Sequence, residues 1–570
     1  MMDSTPASGP SSHDFVPGTL HLVTLGGQTG GEGSNADIVL HPQPSDDPED
    51  PLNWTYRRKL LSTFCMFTYA MTIAIASACI YSVLEPISQA TNLSVANLNS
   101  GTGYMFLSFG WGCLVWQPLG LAYGKRPVYL FTTLCTMIIM LWAPFTTSNG
   151  QWIANKTLQG FFGAPLEALC EISMTDIWFA HERGKYLTLY VLALYIANSI
   201  APLIAGFIAA GMEWKWVLYW CAIYNAVSLI FLYFFMEETN YTRSSSASED
   251  TSDLTQTLKS KQDDGKFPSY PYKPASAEQQ LTKHTGSKAK EAGHTDLERE
   301  VSQSQGIVYT PRTFMDKLKI LDMANLKEKD PKNMIGQVIR PFFYLRFPVV
   351  VFCGISIGCY QMWLSFLNGT ESMVMTDSYH LSTVMLGVPY ISPIIGAVFG
   401  YLYAGLYGDK FIVKIAHKNK GVYEPEQRLW LLLPLILLAP GSQLLWGLGA
   451  YYEVHWIGPI IAMGIISFVT VVGVQVCVSY CIDSYRALSG EAIVTVILLR
   501  NNILFGVNYG ITPWVNNMGL QDAYIVAACL AFAQVVASFI MIKWGKSFRA
   551  GSVNLYFKYC QQLQESGLVH

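Results

Sequence analysis

Long apolar blocks and short polar loops alternate along most of this chain. The first six blocks lie near 59–84, 101–123, 128–147, 152–176, 186–210 and 215–236. The second six lie near 346–368, 384–407, 428–450, 456–480, 491–514 and 521–543. A helix that crosses a bilayer needs roughly 20 mostly apolar residues, and each block is long enough. None shows the strict alternation of barrel strands, so helices are the predicted elements. The pattern predicts an all-α membrane protein with 12 transmembrane helices, six on each side of a polar interruption.

The polar stretches divide the rest. Residues 1–50 are rich in Ser, Gly, Pro and Asp without an apolar run. They are expected to form a disordered tail and not a signal peptide. Residues 51–236 are the predicted first bundle and 346–543 the second, with a tail over 544–570. Between the bundles, 237–345 is rich in Ser, Lys, Asp, Glu and Gln, the composition of a linker. Near its end, Phe314, Leu318, Ile320 and Leu321 recur at helical spacing. They predict an amphipathic helix within 313–339, either on the membrane surface or in water.

Charge then sets the orientation. Arg57, Arg58, Lys59, Lys125, Arg126, Arg183, Lys185, Lys410, Lys414, Lys418, Lys420, Arg486, Lys543, Lys546 and Arg549 all fall on one side. The other side carries only Lys156 and Lys215, both at predicted helix ends. Basic loops stay in the cytosol, so both termini and the linker are expected there. Sequons at Asn92 and Asn368 fall in predicted outer loops, where glycosylation is possible in the secretory pathway. The charged fraction is 14%, against about 25% in a soluble domain. The net charge of −3 gives no reason to expect nucleic acid. The 12 cysteines sit mostly in apolar blocks without zinc-type spacing, and neither metal nor cofactor is expected.

A few polar residues interrupt the apolar blocks. Glu167 and Glu171 lie four apart in the fourth block, so they share a helix face. A charge in a bilayer costs at least about 2.5 kcal/mol, so such carboxylates face a cavity or a partner. They could hold a cationic solute, a proton, or each in turn, or tie two helices together. Arg500, with Asn501 and Asn502, lies in the eleventh block. Arg500 either pairs with a carboxylate or an anionic group, or snorkels to the cytosolic interface. Gln361, Trp363 and Asn198 are candidate cavity groups, although interhelical hydrogen bonding explains such residues more often. Asp483, at the end of the tenth block, is expected in a cytosolic charge network. No His lies in a block, which disfavours a His proton relay.

Enzyme signatures do not fit. Gly354-Ile355-Ser356-Ile357-Gly358 has the spelling of a nucleophile elbow, but it sits inside a predicted helix. There is no HExxH, and Gly120 to Arg126 lacks the spacing of a phosphate-binding loop. A catalytic role and direct ATP-driven transport are therefore not expected.

The two halves carry related loops. One reads Gln117-Pro118-Leu119-Gly120-Leu121-Ala122-Tyr123-Gly124-Lys125-Arg126-Pro127, the other Gly405-Leu406-Tyr407-Gly408-Asp409-Lys410. With these loops the chain resembles the major facilitator superfamily. It resembles in particular the fungal 12-helix drug:proton antiporters and the branch with the yeast histidinol and polyamine permease. Asp50-Pro51-Leu52-Asn53-Trp54, His181-Glu182-Arg183-Gly184 and Glu237-Glu238-Thr239 carry this likeness. So do Tyr423-Glu424-Pro425-Glu426 with Arg428, and Ser489-Gly490-Glu491-Ala492 with Arg500-Asn501. Gln117 and Leu121 stand where the superfamily loop has Gly and Asp. Ala201-Pro202-Leu203-Ile204-Ala205-Gly206 departs from the antiporter signature, which leaves direction open.

The resemblance implies two six-helix bundles rocking about a midplane site lined in part by the fourth helix. It implies proton-coupled movement of an organic cation, polyamine or drug-like solute. Efflux of a fungal secondary metabolite and a transporter-like nutrient sensor are the alternatives. Gly124, Lys125, Arg126, Asp409, Lys410 and Asp483 are the implied gating residues. A monomer in the plasma membrane is expected, with vacuolar or peroxisomal membranes as alternatives.

Overall fold

The computed structural model describes residues 16–21, 47, 49–241, 319, 331–381, 385–419 and 422–565. The first bundle comprises α1 (Tyr56–Ala78), α2 (Val95–Tyr123), α3 (Lys125–Trp142), α4, α5 (Ala180–Met212) and α6 (Trp214–Phe235). Helix α4 has two pieces, Asn149–Gly163 and Pro165–Ile177. The second bundle comprises α7 (Pro348–Asp377), α8 (within 391–418), α9 (Leu435–Tyr451), α10 (Ile457–Ser484), α11 (489–518) and α12 (520–551). A final helix, α13, covers Val553–Glu565.

Ten helices among the described residues are long and apolar enough, as continuous segments, to cross a membrane. Two local breaks relate them to 12 crossings. Helices α11 and α12 form one run of 66 residues, Arg486–Gly551, bent at Gly519, whose φ of 81° leaves the helical region. Helix α4 is split at Pro165, so its pieces of 15 and 13 residues are each too short to span alone. Proline has no N–H and its ring crowds the carbonyl four residues back. That carbonyl, on Phe161, instead accepts the Trp116 indole N–H at 2.8 Å. The break is thus satisfied by α2, as a buried backbone requires.

Turn residues set the other boundaries. Ser94 and Ser148 cap α2 and α4 by accepting from Asn97 N and Gln151 N. Gly124 between α2 and α3 takes φ of 105°, which favours glycine. The Gly354/Gly358 pair lies in α7 and lets α11 approach: a Cβ at either position would press on Leu499 or Ile503. It is a packing stripe in a continuous helix, with no strand for an elbow.

The bundles meet along two seams. Helix α2 lies against α11, and α5 against α8. At the end away from the basic loops, Asn99 of α2 donates to the Gly369 carbonyl and to Thr512, both at 3.2 Å. Gly387 rests on the backbone of Leu203 there.

Four expectations change. Helix α7 runs past the predicted end at 368, so Asn368 lies inside a helix and is buried, not in an outer loop. Of the polar residues that ended the predicted block, Thr370 bonds Tyr524 of α12 at 2.7 Å. Lys156 is not at a helix end in water but fully buried within α4. Its ammonium donates to Gln159 at 2.8 Å and lies 4.8 Å from the Trp152 ring centroid. Part of the N-terminal tail is ordered: Leu20–His21 pairs antiparallel with Val422–Tyr423 of the second bundle. The segment after 543 is helical, with Tyr556, Phe557, Tyr559 and Cys560 of α13 buried.

Within the linker, Pro331–Phe343 forms an amphipathic helix. It docks on α2 and α11 through Trp111–Phe342 ring contact, Arg340–Glu491 at 3.2 Å, and Thr495 donating to the Pro341 carbonyl at 2.6 Å. Phe314, Leu318, Ile320 and Leu321 lie outside the described residues.

Candidate functional site

The Glu167/Glu171 pair follows the break at Pro165. The break restarts α4 just before Glu167, which sits in the first turn of the new piece. Glu167 faces α11 of the other bundle. Its carboxylate forms an ion pair with Arg500 and accepts from Asn501 Nδ2 at 2.7 Å. The Glu167 and Arg500 side chains are 14% and 15% exposed. Arg500 therefore turns to a carboxylate, not to the interface. Its Nε and the Asn501 Oδ1 are buried without a partner in the described structure.

Glu171 lies one turn further on, within the electrostatic reach of Arg500 and Glu167. It is half-buried and makes no direct ion pair or hydrogen bond among the described residues. Tyr195 of α5 and Gln361 of α7 face each other, and Tyr195 also senses Arg500. Asn198, one turn after Tyr195, is half-buried with no side-chain hydrogen bond among the described residues. Trp363 leaves this group: its indole donates to Gln534 of α12 at 2.9 Å, inside the second bundle. The arrangement gathers two carboxylates, one guanidinium and several amides and hydroxyls where the halves meet. Such a set can hold a small charged or hydrogen-bonding solute, or exchange a proton.

At the basic end each bundle has its own charge network. In the first, Lys125 pairs with Asp176 of α4. Glu238 accepts from the backbone N–H groups of Lys125 and Arg126, both at 3.0 Å, and so caps α3. Gly124 is required here, because a Cβ would strike Glu238. Arg126 donates to the Tyr233 and Lys319 carbonyls. Arg58 ties α1 to Glu237 and Glu49.

In the second bundle, Arg428 reaches Asp483 at 3.2 Å and Asp409 at 3.7 Å. Tyr423 donates to Asp483 at 2.6 Å. Asp409 and Lys410 are both exposed. Arg549 is fully buried between Glu424 and Glu426, at 2.8 and 2.6 Å. Burial raises the Glu424 carboxyl, but hydrogen bonds from Lys546, Arg549 and Thr19 outweigh it and hold the group below the usual carboxylate range.

The amino-acid pattern matches the Major Facilitator Superfamily family model over residues 63–487. The chain belongs to the Major Facilitator Superfamily. The chain is 27% identical over 554 residues to an uncharacterised MFS-type transporter of Schizosaccharomyces pombe, covering 95% of this chain and 94% of the relative. It is 25% identical to Protein HOL1 of Saccharomyces cerevisiae, covering 96% and 97%. It is 22% identical to the MFS-type transporter penM of Penicillium rubens, covering 80% and 78%. A D-xylose-proton symporter crystal structure superposes with a TM-score of 0.50 at 13% identity, covering 85% of this chain and 97% of the symporter, which shows the shared fold. Together the family and the membrane-spanning architecture make the protein a membrane transporter of this superfamily.

Several residues of the chain escaped the sequence reading. Asp176, the partner of Lys125, looked like the polar end of a block. Glu238, Glu424, Glu426 and Arg428 were visible as motif letters, but their partners lie far along the chain, as Asp483 does from Arg428 and Arg549 from Glu426. Glu371 fell beyond the predicted end of its helix and is fully buried in α7. Among the described residues, no group of His, Cys, Asp or Glu is placed to hold a metal ion. A groove of about 330 Å³, lined by Tyr403, Tyr407, Phe411 and Trp430, lies on α8 and α9, apart from these charged groups.

Proposed function

We propose that this protein is a proton-coupled secondary transporter for a small organic cation, such as a polyamine or a drug-like amine. The two bundles rock about a midplane site built on α4 and α11. The supporting observation is the charge balance across the seam. Glu167 is matched by Arg500, while Glu171, beside them, has no direct partner among the described residues. Two carboxylates against one guanidinium leave room for one positive charge, which a solute amine or a proton supplies. Competition of the two for Glu171 couples their movements. Glu167, Arg500 and Asn501 hold the site in shape, and Gln361, Tyr195 and Asn198 offer hydrogen bonds to the solute.

The Lys125–Asp176 and Arg428–Asp483 networks, with Gly124, Arg126, Asp409 and Lys410 around them, act as the gate on the basic side. By the basic-loop rule that side is cytosolic, with both termini. The Asp50-Pro51-Leu52-Asn53-Trp54 entry to the first helix favours the histidinol- and polyamine-permease branch.

The test uses purified protein in proteoliposomes with an imposed pH gradient and labelled polyamine or quaternary amine. Saturable uptake that follows the gradient and is lost in Glu171→Gln is expected. Ligand binding without flux would make the protein a sensor, and flux indifferent to pH would remove the proton from the cycle.

A further inference from the structure

A second acidic group lies apart from the α4–α11 cluster. Glu371 of α7 is 0% exposed, and neither carboxyl oxygen has a hydrogen-bond partner among the described residues. The Tyr390 hydroxyl, at the start of α8, stands beside it without closing a hydrogen bond, and Ser372 Oγ is also unpaired. Among the described residues, the neighbouring elements supply no cation. Tyr390 comes from α8, and behind it Tyr81 from the turn after α1. Tyr524 of α12 is bonded to Thr370. Glu85, on the short helix that packs on α7, is engaged by Gln89 at 3.1 Å. Asp377, at the C-terminal end of α7 beyond Glu371, is exposed. A carboxylate ion here would be a buried charge without a counter-ion among the described residues, beside only the unclosed Tyr390 hydroxyl, which protein interiors tolerate poorly. The neutral acid fits the same space.

The location matters as much as the burial. Two residues before Glu371, the Gly369 carbonyl accepts from Asn99 of the first bundle. Tyr390 lies against Tyr81, also of the first bundle, and Gly387 rests on Leu203. Glu371 therefore sits behind the seam that closes the end away from the basic loops. Parting this seam is the movement that would let water in.

We propose that Glu371 is the proton-carrying site of the transport cycle: it releases its proton when this end opens and must regain one before the end can close. The proposal deepens the proton-coupled reading above and rests on it, but moves the obligatory proton from the solute cluster to the seam. No bond other than O–H is made or broken; the proton passes between Glu371 and water.

The experiment is solute accumulation in proteoliposomes, comparing wild type with Glu371→Gln and Glu371→Asp. With one proton per solute, a gradient of one pH unit sustains a concentration ratio of about tenfold in wild type. In Glu371→Gln, a mimic of the neutral acid, the ratio falls to about one, while solute–solute exchange without a gradient continues. Glu371→Asp retains accumulation with a displaced pH profile. Infrared spectra of the wild type show a protonated-carboxyl band that Glu371→Gln lacks. Wild-type accumulation in Glu371→Gln, absence of that band, or equal loss of exchange and accumulation in both variants would overturn the proposal. Wild-type flux without pH dependence would instead refute the underlying proton-coupled reading.

Discussion

Replacing Glu167 by Gln removes the charge that faces Arg500 while keeping the size of the side chain. Both partners are about 85% buried, so the pair is neither a surface bridge worth under about 1 kcal/mol nor a fully dry one. Breaking a buried pair from one side costs about 3–5 kcal/mol, because the remaining charge is stranded. Glu171, one turn away, offsets part of this, so about 3 kcal/mol is the expected loss for Glu167→Gln. Arg500→Met strands Glu167 instead, leaving it only the Asn501 bond, and should cost a similar amount. The double variant strands neither member of the pair, although Glu171 loses its neighbouring cation, and should lose about 1–2 kcal/mol, well under the sum of the single losses. A coupling of several kcal/mol between contacting residues is the expected signature. It can be read as the unfolding of detergent-solubilised protein followed by Trp fluorescence. Transport should behave differently: both single variants and the double variant lose solute uptake, since the charges are used in the cycle. Additive losses in the single variants would refute the pairing argument. Uptake by the double variant at the wild-type rate would show that the pair only fastens the two bundles.

Other predictions concern the frame around the site. Glu424 is ionised more readily in the folded protein than as a free side chain, so its contribution is complete at neutral pH. That contribution is lost as the pH falls through its depressed folded value; limited proteolysis near residue 20, run over a pH series, should show release only on strong acidification. Gly396→Ala places a methyl group against the backbone of Gly464, which cannot move aside. A loss of about 1–3 kcal/mol is expected, visible as aggregation on size-exclusion chromatography. Asn368→Gln should leave electrophoretic mobility unchanged, because its sequon is buried in α7; Asn92, exposed before α2, is the sequon open to a glycan, and Asn92→Gln is the variant to compare. Glu238→Ala uncaps α3 and should cost about 1 kcal/mol, with faster hydrogen exchange at Lys125 and Arg126.

The number and type of the helices were legible because hydrocarbon length leaves a strong mark on composition. The ends were less so. The end of α7 was misplaced because Asn368, Thr370 and Glu371 read as a loop when judged one residue at a time; only the seam formed by Asn99, Tyr390 and Tyr524 gives them a buried environment. Lys156 was misread for the same reason. Glu167, Glu171, Arg500 and Asn501 were found because a charge inside a greasy block stands out. Their pairing was left open because the sequence separation between α4 and α11 carries no record of which faces meet. Trp363 illustrates the limit from the other side: a polar group on a helix near the centre looked toward its own bundle. The salt-bridge networks at the basic end were equally hidden, since Arg549 and Glu426 are distant in sequence and each is unremarkable alone.

The short strand Leu20–His21 belongs by chain order to the first bundle but completes the second. Thr19 donates to Glu424 at 2.9 Å, and the Pro17 carbonyl accepts from Arg549. On the other side Asp47 bonds Tyr241 at 3.0 Å and Glu49 holds Arg58, so the chain leaves one bundle and is stitched to its neighbour. The 25 residues between positions 21 and 47 correspond to roughly 90 Å of fully extended chain. Half-molecules made by cutting the chain between the bundles would therefore exchange an arm: the first fragment would bring the strand that the second lacks, and each would act as the other's missing piece.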